Sequence, residues 1–200
     1  DKLHGDAVEK RERFLLYENL YFHELERIEK VSARLSLPFT VMLAIIAFLA
    51  FMLNSESKPN DSGIATLCFW LLFSLSCIAL LAGAWFFRLA WFGHDDKLLP
   101  VARTIEDYFL ELEETYKDFE GGDKLTKKHF DDFLFDYYAQ FASENAINND
   151  RRSYNIYRSI VALMFSVLLA FAAAIPFYLH DNESGFYDKA STASSATQTP

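Results

Sequence analysis

The sequence predicts an all-α, polytopic membrane protein: three transmembrane helices with a cytoplasmic helical cluster, the N-terminus inside and the C-terminus outside. Three observations predict it. The 200 residues are 52% hydrophobic yet 24% charged, with net charge −9, so apolar and charged residues must be segregated along the chain. Three long runs lack Asp, Glu, Lys and Arg, the pattern of helices that cross a hydrocarbon layer. Of the 19 Lys and Arg, all but Lys58 and Lys189 lie in residues 1–35 or 88–158, the asymmetry that marks a cytoplasmic side. The apolar content excludes a disordered chain, and two cysteines exclude a disulfide framework.

Residues 1–35 read as a cytoplasmic amphipathic helix, because Phe14, Tyr17, Tyr21, Leu25, Ile28 and Leu35 recur at helical spacing among charges. This helix is expected to run into the first span, with Pro38 as a kink point. So charge-rich a stretch ahead of the first apolar run also predicts no cleavable signal peptide there. Residues 36–54 are the first transmembrane helix; the apolar part, 37–53, covers roughly 25 Å, a short span. Residues 55–63 form an outer turn. Residues 64–92 are the second transmembrane helix, whose apolar positions to Phe87 cover about 36 Å and allow tilt. Its inner end carries an aromatic belt, Trp85, Phe86, Phe87, Trp91 and Phe92, around Arg88.

Residues 93–157 read as a cytoplasmic helical hairpin. Val101, Ile105, Tyr108, Phe109, Leu112, Tyr116 and Phe119 form one apolar stripe, and Phe130, Phe133, Leu134, Tyr137, Tyr138 and Phe141 form another. Gly121 and Gly122 turn the chain between them, with Thr126 as N-cap of the second helix. The two faces should pack antiparallel, and the N-terminal helix should complete a three-helix cluster. Residues 158–180 are the third transmembrane helix, about 30 Å long. Residues 181–200, ending STASSATQTP, read as an outer disordered tail.

Catalytic and metal signatures do not emerge. The segment DFEGGDKLTKKHF has the rhythm of a calcium-binding loop, but the required turn Gly falls on Asp123 and the bidentate Glu on His129. His94 beside Asp95 and Asp96, and His129 near Asp131 and Asp132, lack helical ligand spacing. No nucleophile elbow or phosphate-binding Gly-rich loop is present. We therefore expect no enzyme, no metal and no cofactor, and the acid excess argues against nucleic acid as a partner.

Two sets of residues carry the functional expectations. Ala162, Ser166, Ala170 and Ala174, four apart in the third span, and Ala79 and Gly83 in the second, let helices approach closely, within one copy or between copies of a homo-oligomer. Asn145, Asn149, Asp150, Arg151, Arg152 and Arg158 lie between the cytoplasmic hairpin and the third span, and Arg88 ends the second. Asn and Asp there make either a hinge or a polar network coupling the cytoplasmic helices to the span, while the arginines sit where anionic lipid head groups would lie. Residues 93–150 carry fifteen acids against six bases. This acidic helical body behind a basic collar suits a soluble, basic partner protein on the cytoplasmic face.

A cytoplasmic helix, two spans joined by a short outer turn and an aromatic-rich inner segment, over residues 10–120, together with the polar joint Asn145, Asn149, Asp150, Arg151 and Arg152, resemble the small SLATT-type membrane effectors of bacterial conflict and anti-phage systems. The third span is an addition to that layout. The resemblance implies an oligomer in the bacterial inner membrane that compromises it when a partner senses infection. A scaffolding subunit for a soluble partner and a small ion channel are the other classes left open.

Overall fold

The computed structural model describes residues 2–54, 63–92 and 95–196, with side chains for 8–54, 63–92 and 95–178. Five helices occur in the order α1 (Lys2–Ala33), α2 (Ser36–Asn54), α3 (Ile64–Trp91), α4 (Ala102–Tyr116) and α5 (Gly122–Ala196). No strand occurs among the described residues, so the chain is all-α. Three helical stretches, within Val8–Asn54, Ile64–Trp91 and Gly122–Tyr178, are long and apolar enough to cross a membrane. The expected outer turn falls almost wholly on 55–62, outside the described residues, as does His94.

The helices divide into two compact units: Asp1–Ala33 with Gly93–Ser153, and Arg34–Phe92 with Tyr154–Pro200. In the first, α1 and α4 each pack on the N-terminal half of α5. Tyr21, Tyr138 and Ala142 are buried there, with Phe14, Tyr17, Leu25 and Leu134 against them. Phe14 meets Tyr138 edge-on at 5.6 Å between ring centroids, and Tyr17 meets Phe135 at 5.0 Å. The α4–α5 hairpin is antiparallel, with Tyr108 on Phe133 and Tyr116 stacked on His129. The turn between them depends on both glycines. Gly121 has φ +76°, a conformation that costs a side-chain-bearing residue. A Cβ on Gly122 would lie 2.1 Å from the Tyr116 carbonyl oxygen.

In the second unit, Met42, Ile45, Leu49 and Met52 of α2, Phe69 and Phe73 of α3, and Leu163, Ala170, Ala173, Ala174 and Phe177 of α5 form one core. The outward residues are just as apolar: Leu67, Ile78 and Leu168 are 68%, 63% and 64% exposed. A polar/apolar division therefore does not separate inside from outside here. That is compatible with lipid as the surrounding solvent, where close packing and interhelical hydrogen bonds hold helices together.

Two expectations need correction. The N-terminal helix does not run into the first span: Arg34 and Leu35 form a turn between α1 and α2. Pro38 has no N–H for the Arg34 carbonyl and its ring clashes with it, so the break falls four residues before the proline, which itself sits buried in the first turn of α2. Thr126 is no cap. It lies within α5, buried, and its hydroxyl donates to the Leu112 carbonyl at 3.4 Å. Of the two readings left open for the asparagine-rich joint, the polar network is the one the contacts match: α5 is helical throughout 142–158. The Asn side chains there bond to distant partners and leave their own helix intact. α5 continues through 181–196; extending an existing helix costs far less than nucleating one.

Candidate functional site

The most organised polar site lies in the first unit, on one face of α5. Asn145, Asn149 and Arg152 follow the i, i+4, i+7 spacing that aligns side chains on a helix. Opposite them runs the segment 95–101, which is not helical up to Val101. Asn145 Oδ1 accepts from the Lys97 N–H at 2.8 Å, and its Nδ2 donates to the Lys97 carbonyl at 2.9 Å. One carboxamide thus satisfies both backbone groups of a single residue, as a neighbouring strand would. Asn148 Nδ2 donates to the Asp95 carbonyl at 3.0 Å, and the Leu99 N–H donates to the Tyr21 hydroxyl at 3.0 Å.

The same face grips α1. Asn149 Nδ2 donates to both the carbonyl and the side-chain Oε2 of Glu24, at 3.0 and 2.9 Å. Glu24 also accepts from Arg27 at 3.4 Å, and Arg27 bridges onward to Asp150. The hydrogen bond to Asp150 raises the Arg27 pKa above its already high ordinary value, with the Glu24 and Asp150 charges adding to it, so the bridge stays charged. Arg152, 7% exposed, pairs with Asp96 at 3.3 Å. Asp95 in turn bonds Lys97 and raises its pKa. Asp96 Oδ1, Asn149 Oδ1 and Arg152 Nη1 are buried without a hydrogen-bond partner in the described protein. Removing one partner of such a buried pair would leave the other charge uncompensated.

Of the residues expected at the joint, Asn145, Asn149, Asp150 and Arg152 come together in this clasp. Arg151 is exposed and outside it. The lipid-contact reading fails for Arg152, whose guanidinium is buried against Asp96. Arg158 and Arg88 belong to the second unit, where they lie over aromatic rings: Arg158 4.6 Å from the Phe86 centroid, Arg88 5.5 Å from that of Trp85. Sequence reasoning missed Glu24, Asp96 and the backbone of Lys97. Glu24 carried a readable signal, a carboxylate three residues after Tyr21 on the apolar face of α1. Nothing in the sequence marks the backbone of an irregular segment as a partner.

In the second unit, Ser76 and Gly83 of α3 meet Ser166 and Ser159 of α5. Ser166 is fully buried, Ala170 and Ala174 nearly so, and Gly83 is buried; Ala162 and Ala79 are half-buried. Ser76 Oγ donates to the Ser166 carbonyl and Ser166 Oγ to the Ser76 carbonyl, each at 2.9 Å. Ser159 Oγ donates to the Gly83 carbonyl at 2.9 Å. The buried seam on α5 reads Ser159, Leu163, Ser166, Ala170, Ala173 and Phe177, alternating steps of four and three. A strict four-residue row drifts about 40° per step around a helix, which is why Ala162 slips to the margin while Ser159 and Leu163, absent from the expected row, enter.

Fold and site define an all-helical protein with three helices long and apolar enough to span a membrane and a hydrogen-bonded clasp in its first unit. No group of three or more His, Cys, Asp or Glu among the described residues could hold a metal ion. Comparison with family models, curated proteins and solved structures returns no match for this chain.

Proposed function

We propose that the chain is a multi-pass protein of the bacterial inner membrane, N-terminus cytoplasmic and C-terminus external, that works as an oligomeric, membrane-perturbing effector of anti-phage defence triggered through its cytoplasmic helices. The carrying observation is that α5 supplies both the clasp, through Asn145, Asn149 and Arg152, and the interhelical seam from Ser159 to Phe177. A ligand or partner that opens the clasp acts on the helix that holds the spans together. The distribution of Lys and Arg supports the orientation. The second unit's interior is filled by Met52, Phe69, Leu163 and Ala173, so a perturbed bilayer or a pore between copies fits better than a channel through one copy.

A reporter pair tests the orientation: green fluorescent protein at the N-terminus should fluoresce and alkaline phosphatase at the C-terminus should be active. Induced expression with a potential-sensitive dye tests the effector. Asn145→Ala and Arg152→Met, which loosen the clasp, should depolarise cells more strongly than the unaltered chain. Growth and potential unchanged for all three would sink this reading. A scaffolding role draws support from α4, which has no buried residue and presents Glu106, Asp107, Glu111, Glu113 and Glu114. A stoichiometric soluble partner recovered with the full chain, and lost on neutralising those acids, would favour it.

A further inference from the structure

The acid-rich first unit contains one pocket of opposite character. Between α1 and the start of α5, a cavity of about 580 Å³ is lined by Lys10, Arg11, Lys124, Lys127, Lys128 and a single carboxylate, Asp131. Its size is that of a small-molecule site. Lys10 is engaged by Asp132. Arg11, Lys124, Lys127 and Lys128 have no ion pair among the described residues, whereas Arg13, Lys30, Arg103 and Lys117 on the same unit each have one.

This placement works against local helix energetics. Lys124, Lys127 and Lys128 occupy the first two turns of α5, at the end of the helix that repels cations. Lys124 and Lys128 are also four residues apart, a like-charge spacing that destabilises a helix. Phe14 and Leu15 form an apolar part of the wall. Four cations without an ion pair converge on this concave, partly apolar wall, and an anion bound among them would relieve their mutual repulsion. Lysine ammonium groups suit phosphate oxygens as point charges, and several cations against a single carboxylate attract an anion of high charge more strongly than one of low charge.

We propose that this pocket binds a small soluble anion carrying at least two phosphate groups. Such binding is independent of whether the protein perturbs membranes, and its test reads binding alone. The full chain, in nanodiscs of phosphatidylcholine, is titrated calorimetrically with inorganic tripolyphosphate, with orthophosphate as the low-charge comparison. Saturable binding to tripolyphosphate is expected, much tighter than to orthophosphate. Lys124→Gln and Lys128→Gln should each weaken it by about tenfold, as loss of one charge-assisted contact does. Arg103→Gln and Lys117→Gln, which remove bases outside the pocket, should leave it unchanged. All four substituted side chains are exposed, and far-ultraviolet circular dichroism verifies that the variants fold. Absence of saturable binding, or equal weakening by the two outside variants, overturns the proposal. So does occupancy seen only in nanodiscs containing phosphatidylglycerol, which would make the occupant a lipid head group.

Discussion

The Asn145 carboxamide holds the backbone of Lys97 at both ends, accepting from its N–H at 2.8 Å and donating to its carbonyl at 2.9 Å. Asn145 is fully buried, and no other residue type presents this donor and acceptor at that reach: Asp lacks the donor, Leu lacks both, and Gln is one methylene too long. Asn145→Ala and Asn145→Asp should each destabilise the first unit by about 2 kcal/mol, since each strands a partly buried backbone group. Unfolding in mixed micelles as denaturing detergent is titrated measures this. Equal stability of Asn145→Ala and the unaltered chain would show the clasp to be ornamental.

Ser76 and Ser166 exchange hydroxyl-to-carbonyl hydrogen bonds across α3 and α5. A double-mutant cycle with Ser76→Ala and Ser166→Ala should return a coupling of about 0.6 kcal/mol, the usual scale for such bonds between membrane helices. Ser166→Leu should be far more damaging than Ser166→Ala, because the hydroxyl lies in a fully buried seam. That loss should appear in the stability of the single copy. If Ser166→Leu alters only oligomer size in detergent, the residue faces another copy instead.

Gly83 admits Leu163. A Cβ on Gly83 would lie 2.8 Å from Leu163 Cδ2 and 2.9 Å from its Cγ, and Leu163 is only 2% exposed, with little room to yield. Gly83→Ala should therefore cost about 1–3 kcal/mol by overpacking. Adding Leu163→Ala opens the space, so the double variant should lose less than the sum of the single losses. Strict additivity in the same titration would mean that the two positions do not touch.

Alkaline pH should weaken the first unit. Burial pushes the Tyr138 phenol above its ordinary value of 10, with the Glu18 charge and Tyr21 adding to the shift. A raised folded-state pKa means that the unfolded chain ionises first, so this contribution is intact below about pH 10 and is lost as the pH rises through the folded value. Near-ultraviolet circular dichroism of the intact chain should show a loss of first-unit packing above pH 10 that is smaller in Tyr138→Phe.

Local features were legible in the amino-acid order alone. Apolar runs without charges located α2, α3 and the apolar part of α5, and helical periodicity located α1, α4 and the aromatic half of α5, because both signals are read within a few turns of chain. Polar satisfaction is not local. Asn145 finds its partner 48 residues away and Asn149 finds Glu24 at a separation of 125, so a row of asparagines that read equally as hinge or network became a clasp only once the backbone of 95–99 and α1 lay against it. The small residues of α5 followed the same rule: composition announced close approach, and only the partner helix decided that Ser159 and Ser166 meet α3 within one copy. Charge behaved likewise, because the net −9 is a sum over the chain, whereas the cationic pocket exists only where α1 brings Arg11 to the lysines that open α5.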